Sequence, residues 1–218
     1  MNVIALNGSP RKKNWNTISL LEHALAGAAS QGAETELVHL YDLKFSGCIS
    51  CFACKKLDRK KRCVCAVKDD LTPVLERIAS ADALILGSPI YYGTETAAMR
   101  ACFERLCFPY NPYAVDWKCD FGRVIPTALL YTMNISEEMI DSFGYRSHFS
   151  LMERTMAMHF GTCEVMLCTD TLQYSDYSKY ESAKFDGVAK GKRHEEVFPQ
   201  DCQRAYELGS RMARPLAG

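Results

Sequence analysis

The sequence predicts a doubly wound α/β fold, in which helices cover both faces of a five-stranded parallel sheet. Two observations support this prediction. Five short apolar runs alternate with segments of helical periodicity along the 218 residues, and nearly continuous apolar runs are typical of strands buried on both faces. Right-handed crossovers between such strands give three layers, and the length of the chain suits the strand order 2-1-3-4-5.

The first half of the chain alternates strands and helices. The predicted strands cover 2–6, 34–40 and 83–87, and the predicted helices cover 17–30 and 69–79. Leu21 and Leu25 recur at helical spacing, and Gly32 follows them as a helix stop. Asp69 and Asp70 suit the first turn of the second helix, because acidic side chains favour the positive end of a helix.

The second half continues the same alternation. The predicted strands cover 124–131 and 164–168, and the predicted helices cover 96–107, 143–160 and 198–213. Met99, Phe103 and Leu106 lie on one face of the first of these helices. Pro199 stands near the start of the last helix, where proline is favoured because its missing N–H would have no partner there.

The composition indicates a single domain over 1–218 with two interruptions, a cysteine-rich excursion at about 44–68 and a polar, tyrosine-rich one at about 171–197. Apolar residues make up 48% of the chain, which is ample for a core. The 26 basic and 26 acidic side chains cancel, so no overall field attracts nucleic acid or a membrane. The chain lacks an export signal and the run of about 18 apolar residues that a membrane span needs, so we expect a cytoplasmic protein.

The loop after the first strand has the features of a phosphate site. A helix start offers unpaired N–H groups with positive partial charge. Ser9, Asn16 and Thr17 add short side-chain donors, and Arg11 adds a charge. This set suits a terminal monophosphate, and neither a dinucleotide fingerprint nor a triphosphate loop motif is present. The alternative is an ordinary strand-to-helix turn capped by Asn or Thr.

A second loop follows the third strand and runs from Ser88 to Gly93. Gly93 allows backbone to approach a flat ligand closely, and Tyr91 and Tyr92 offer aromatic surface. The alternative is a plain turn with core tyrosines. In the predicted strand order both loops lie where strands one and three diverge, which is where ligands bind in such sheets.

The cysteines are unevenly distributed. The chain has 11 of them, and Cys48, Cys51 and Cys54 lie at C-x-x-C-x-x-C spacing. Three thiolates on one compact loop suit three corners of an iron–sulfur cubane, with Cys63 or Cys65 as the fourth ligand. The same four-sulfur set could hold zinc, or the segment could hold no metal.

Three motifs together resemble a known family. They are Gly8-Ser9-Pro10-Arg11 with Asn16-Thr17, the segment Gly87–Gly93, and the cysteine triplet followed by Asp69-Asp70. In these motifs the chain resembles the flavodoxin-like NADPH-dependent FMN reductases, including the iron–sulfur flavoproteins. These motifs span the first half of the chain. The second half resembles the family only in its alternation of strands and helices. Trp15 stands where the family has Gly, the first loop is one residue longer, and the gap to the fourth cysteine is longer than in the iron–sulfur members.

The resemblance implies bound FMN and assigns residues to its parts. The phosphate would be held by Ser9, Arg11, Asn16, Thr17 and the helix start at Ile18. The isoalloxazine would be held by Pro89, Ile90, Tyr91, Tyr92 and Gly93. Tyr92 and Gly93 would lie near the reactive flavin N5, with no catalytic side chain required. A third contact would come from Thr132, Met133 and Asn134.

The resemblance also implies an activity. The chain is expected to be a flavodoxin-like NAD(P)H oxidoreductase that passes reducing equivalents through FMN to a quinone, flavin, nitro compound or metal centre, as a homodimer or homotetramer. One alternative is an iron–sulfur flavoprotein with a [4Fe–4S] cluster that exchanges single electrons with a ferredoxin-like partner. Another is a non-enzymatic flavin-binding carrier or redox sensor. Within the excursion at 171–197, the segment Asp176–Tyr180 is interpreted as packed surface, or as an oligomer contact or wall of the flavin site.

Overall fold

The computed structural model describes residues 1–57, 63–111, 113 and 121–214. Five strands form a parallel sheet in the order β2-β1-β3-β5-β6, and a short strand β4 pairs antiparallel with the end of β3. Their bounds are Asn2–Asn7 (β1), Glu34–His39 (β2), Ala83–Tyr91 (β3), Thr94–Glu95 (β4), Ile125–Thr132 (β5) and Gly161–Cys168 (β6). The predicted order 2-1-3-4-5 is confirmed, because β5 and β6 are the fourth and fifth parallel strands.

Helices cover both faces of this sheet. They are Asn16–Ala29 (α1), Thr72–Ile78 (α2), Ala97–Cys107 (α3), Glu137–Ser142 (α4), Tyr145–Phe160 (α5), Gly187–Glu196 (α6) and Phe198–Met212 (α7). Side chains alternate across β1, so Val3 and Ala5 join the core beneath α1 and α7. Ile4 and Leu6 join the opposite core, which α2, α3 and α5 complete.

Helices α1 and α7 meet at two glycines. A Cβ atom at Gly27 would lie 1.9 Å from the carbonyl oxygen of Tyr206, and one at Gly209 would lie 1.7 Å from that of Ala24. Only glycine therefore permits this backbone contact. Because α1 begins at the predicted phosphate loop, the α1–α7 contact fixes the direction in which that end of the helix points.

Several elements differ from the prediction. Strand β3 does not end at Gly87 but continues through Tyr91, because Ile90 and Tyr91 pair with β4. Helix α2 begins at Thr72 rather than at Asp69, whose carboxylate accepts a hydrogen bond from the Leu71 N–H (3.1 Å). Short helices α4 and α6 occur where no helix was predicted.

Three parts of the chain lie outside the described residues. They are residues 58–62 of the cysteine-rich excursion, residues 112 and 114–120 after α3, and the terminal residues 215–218. Within the described part of the chain, no helix is both long and apolar enough to cross a membrane.

Candidate functional site

A groove lies at the carboxyl ends of β1, β3 and β5. Predicted site residues that line it are Ser9, Arg11, Asn16, Thr17, Pro89, Tyr91, Thr132, Met133 and Asn134. It is also lined by four residues that the sequence did not indicate, namely Trp15, Thr171, Leu172 and Gln173. The groove thus joins all three predicted contact segments, and a fourth segment that follows β6.

The first loop is shaped by hydrogen bonds near its start. The side-chain oxygen of Asn7 accepts the Ser9 N–H (2.9 Å), and the Ser9 hydroxyl accepts the Arg11 N–H (3.1 Å). Asn7 is fully buried, and such side-chain-to-backbone bonds fix a turn two residues on. Asn7 is therefore a structural part of the loop. The motifs in the sequence did not indicate this role, although Asn at the end of a strand is itself a turn signal.

Helix α1 presents its amino terminus to the groove. Its N-cap residue is Trp15, whose indole makes no capping hydrogen bond, so the side chain at this position leaves the first-turn N–H groups available. The side chain of Ile18 is fully buried in the core. Ile18 can therefore contribute to a ligand only through its backbone N–H.

Arg11 crosses the groove. Its guanidinium carbon lies 3.8 Å from the centroid of the Trp15 ring, and Nη1 donates to the carbonyl oxygen of Gln173 (2.9 Å). The Asn16 amide donates to the carbonyl oxygen of Leu172 (2.8 Å). These contacts tie the segment after β6 to the first loop. Residues 171–173, at the start of the excursion, therefore supply a wall of the groove.

Two observations test whether these residues fit a ligand with both donors and acceptors. The hydroxyls of Thr17 and Thr132 are buried and lie 2.8 Å apart, so they join the first loop to the end of β5. The side-chain oxygens of Asn134 and Gln173 are buried and have no hydrogen-bond partner among the described residues. Because an unpaired buried acceptor is costly, these oxygens suit the polar groups of a bound ligand. Together with the cationic Arg11, this donor and acceptor set fits FMN.

The remaining predicted contacts lie on a hairpin beside the groove. Tyr92 and Gly93 form its tip with positive φ values of 52° and 86°, and the Tyr92 side chain is fully exposed. Ile90 packs against the core. Only Pro89 and Tyr91 of this segment line the groove. Partial burial raises the pKa of the Tyr91 phenol, and a neutral phenol can donate a hydrogen bond.

The cysteine-rich excursion packs against α3. Cys48, Cys51, Cys54 and Cys65 line one small cavity there, whereas Cys63 lines a neighbouring cavity with Cys65. Burial raises the pKa of the Cys54 thiol. Within the described ranges, no three His, Cys, Asp or Glu side chains are grouped so that they could hold a metal ion. The structure therefore brings four thiols to one cavity without a formed ligand set.

Arg105 holds both ends of this excursion. Its side chain is fully buried, and it pairs with Asp69. It also donates to the carbonyl oxygens of Ser46 and Val67, each at 3.2 Å. The sequence did not indicate that Arg105 is buried, because it lies off the helix face of Met99, Phe103 and Leu106, and arginine is ordinarily exposed.

Comparison with known proteins identifies the family. The family model described as NADPH-dependent FMN reductase matches residues 1–120, more than half of the chain. The chain belongs to this family. Membership supports a flavin-dependent oxidoreductase, and it agrees with the motifs of the two loops that border the groove.

Curated relatives match about half of the reductase-family chain. An iron–sulfur flavoprotein of Archaeoglobus fulgidus is 38% identical over 105 residues, and one of Methanocaldococcus jannaschii is 37% identical over 105 residues. These alignments cover 48% of this chain and 48% and 51% of the two relatives. The chain therefore matches about half the length of the curated relatives.

Solved structures resemble the whole fold. An NAD(P)H:quinone oxidoreductase from Methanothermobacter marburgensis has a TM-score of 0.70 at 18% identity and covers 96% of this chain and 98% of that one. An azoreductase from Bacillus anthracis has a TM-score of 0.64 at 13% identity and covers 96% and 99%. At such identities the likeness establishes the flavodoxin-like fold alone.

Proposed function

We propose that the protein is an FMN-dependent oxidoreductase that takes electrons from NAD(P)H. The observation that carries the proposal is the groove, which joins an uncapped helix start and a cationic arginine at one end to buried, unpaired amide oxygens along its wall. A helix start with an arginine suits a phosphate. Amide oxygens suit the hydroxyl and ring N–H groups of the remainder of the cofactor.

The residues divide by the part of FMN that they would contact. The phosphate would be bound by Ser9, Arg11, Asn16, Thr17 and the backbone of Ile18. The ring would lie between the hairpin residues Pro89–Gly93 and the segment Thr132–Asn134, with Ile90 as core support. When bound, FMN supplies the transfer of hydride and of single electrons, so no side chain is needed as a catalytic acid or base.

Mixing anaerobic flavin-loaded protein with NADPH or NADH tests this activity. We expect the absorbance of oxidised flavin to be lost with at least one nicotinamide, and to return when a quinone such as menadione is added. A protein that binds FMN but is reduced by neither nicotinamide would instead be an electron carrier or sensor. The proposal includes a quinone, flavin, nitro compound or metal centre as the electron acceptor. It also includes a cytoplasmic location, a single domain over 1–218 and assembly as a homodimer or homotetramer.

A second candidate function adds a [4Fe–4S] cluster and electron exchange with a ferredoxin-like partner. The observation that favours it is the single cavity lined by Cys48, Cys51, Cys54 and Cys65. The thiols must draw closer than in the described geometry for a cluster to form. The shared cavity favours Cys65 over Cys63 as the fourth ligand.

Iron and sulfide analysis of anaerobically purified variants tests this assignment. Cys65→Ser is expected to lose most of the bound iron and sulfide, because one thiolate ligand is removed. Cys63→Ser is the matched control, two residues away in the same segment, and should retain both. Equal loss in the two variants would contradict the choice of Cys65, and iron-free wild-type protein would contradict the cluster.

A further inference from the structure

The hairpin beside the groove contains a buried charge. Glu95 lies on β4, opposite Ile90 of β3, and its side chain has no exposure to solvent. Nε2 of His148 on α5 lies 2.7 Å from one oxygen of the Glu95 carboxylate, and Nη1 of Arg100 on α3 lies 3.4 Å from the other. A buried carboxylate is stable only where it is hydrogen-bonded or paired. Glu95 therefore ties the hairpin to α3 and α5.

The strand end is also fixed from the side of β1. The Thr96 N–H donates to the hydroxyl of Ser88 (3.1 Å), and the Thr96 hydroxyl donates to the carbonyl oxygen of Gly8 (2.7 Å). The first loop and the hairpin thus share one anchor. The tip has contact with α5 as well, because a Cβ at Gly93 would lie 3.0 Å from Cε1 of Tyr145.

Among the residues that the structure describes, three polar groups face Glu95. They are the imidazole of His148, which is 20% exposed, the guanidinium of Arg100, which is 49% exposed, and the buried phenol of Tyr131. Burial, with the nearby Glu95 carboxylate, raises the pKa of Tyr131. Tyr131 therefore stays neutral, and His148 and Arg100 supply the polar contacts to the carboxylate.

We infer that Glu95 and His148 are positioning residues for the flavin, an inference that rests on the proposed function. They set where the backbone N–H groups of Tyr92 and Gly93 lie at the edge of the groove. The reason is geometric. Thr94 and Glu95 form the second strand of the hairpin. The turn between the strands consists only of Tyr92 and Gly93, both at positive φ. A shift of β4 therefore moves this tip. Loss of the His148 contact leaves a buried carboxylate with only the longer Arg100 contact, and the hairpin then shifts to let water reach Glu95.

Three variants separate this role from a structural one. His148→Leu removes the donor, and His148→Gln keeps an N–H donor at similar reach. Arg146→Gln is the matched control, because Arg146 lies on α5 like His148 but forms an exposed pair with Asp141 of α4. The measurements are the dissociation constant for FMN, the two-electron midpoint potential of the bound flavin and the melting temperature.

His148→Leu is expected to move the midpoint potential by about 30 mV or more, which corresponds to a tenfold change in the preference for one redox state. His148→Gln should restore most of the wild-type potential, and Arg146→Gln should not change it. A lower melting temperature of His148→Leu with unchanged FMN affinity and potential would overturn the inference, since the contact would then be only structural. Wild-type protein that binds no FMN would instead overturn the proposed function itself.

Discussion

Replacement of both Arg11 and Thr17 with alanine is expected to abolish retention of FMN during purification. Arg11 is the cation of the groove, and Thr17 adds a hydroxyl at the helix start. Hydrogen bonds to charged groups contribute about 1.5–3 kcal/mol each, so losing two should weaken binding by about 100-fold or more. The measurement is the ratio of flavin to protein after gel filtration.

Arg211→Ala is the control for this double variant. Arg211 lies on α7, is half exposed and pairs with Glu164, away from the groove. Arg211→Ala removes one positive charge, as the loss of Arg11 does, and should leave the ratio of flavin to protein unchanged. Because Thr17 also contacts Thr132, the melting temperature of the double variant should be measured as well. A folded double variant with a full complement of flavin would contradict the phosphate assignment.

Gly209→Ala is expected to destabilise the protein strongly. The new Cβ would lie 1.7 Å from the carbonyl oxygen of Ala24, so α7 and α1 would have to separate. Overpacking of this kind costs about 3 kcal/mol, which lowers the melting temperature of a chain of this size by about 6–12 °C. FMN affinity should fall too, since α1 carries the phosphate end of the groove. Thermal unfolding and an FMN titration measure the two effects.

Gly191→Ala is the matched control. Gly191 is also a helical glycine, on α6, but a Cβ there would meet nothing within 4 Å. This substitution should stabilise the protein by about 0.5–1 kcal/mol, because glycine is unfavourable in a helix interior. If Gly209→Ala unfolded at the same temperature as Gly191→Ala, the close contact of α1 and α7 would be wrong.

The fold was predictable because the inner parallel strands are buried on both faces and so appear as apolar runs, as in Val3–Leu6. The elements that were missed have weaker signals. Strand β4 has two residues, and its Glu95 is held by His148 of α5, which is distant in sequence. Helix α6 carries one buried side chain, that of Lys190, so it lacks the apolar periodicity from which helices are predicted.

The site was predictable where it follows the ends of β1 and β3. The segment Thr171–Gln173 was placed in an excursion, although it follows the carboxyl end of a neighbouring parallel strand and could have been proposed on that ground. Trp15 could not have been assigned, because its role depends on Arg11 stacking across the loop. The choice between Cys63 and Cys65 likewise depends on which cavity each lines, and sequence spacing does not contain that information.

The central claim is that the groove binds the monophosphate of FMN, and titration of flavin-free protein tests it most directly. The protein should be titrated with FMN and with riboflavin, which shares the ring and ribityl chain but lacks the phosphate, and binding followed by the quenching of flavin fluorescence. We predict that FMN binds at least about 100-fold more tightly, since the phosphate meets Arg11 and the start of α1. Equal affinity for the two flavins would contradict the claim.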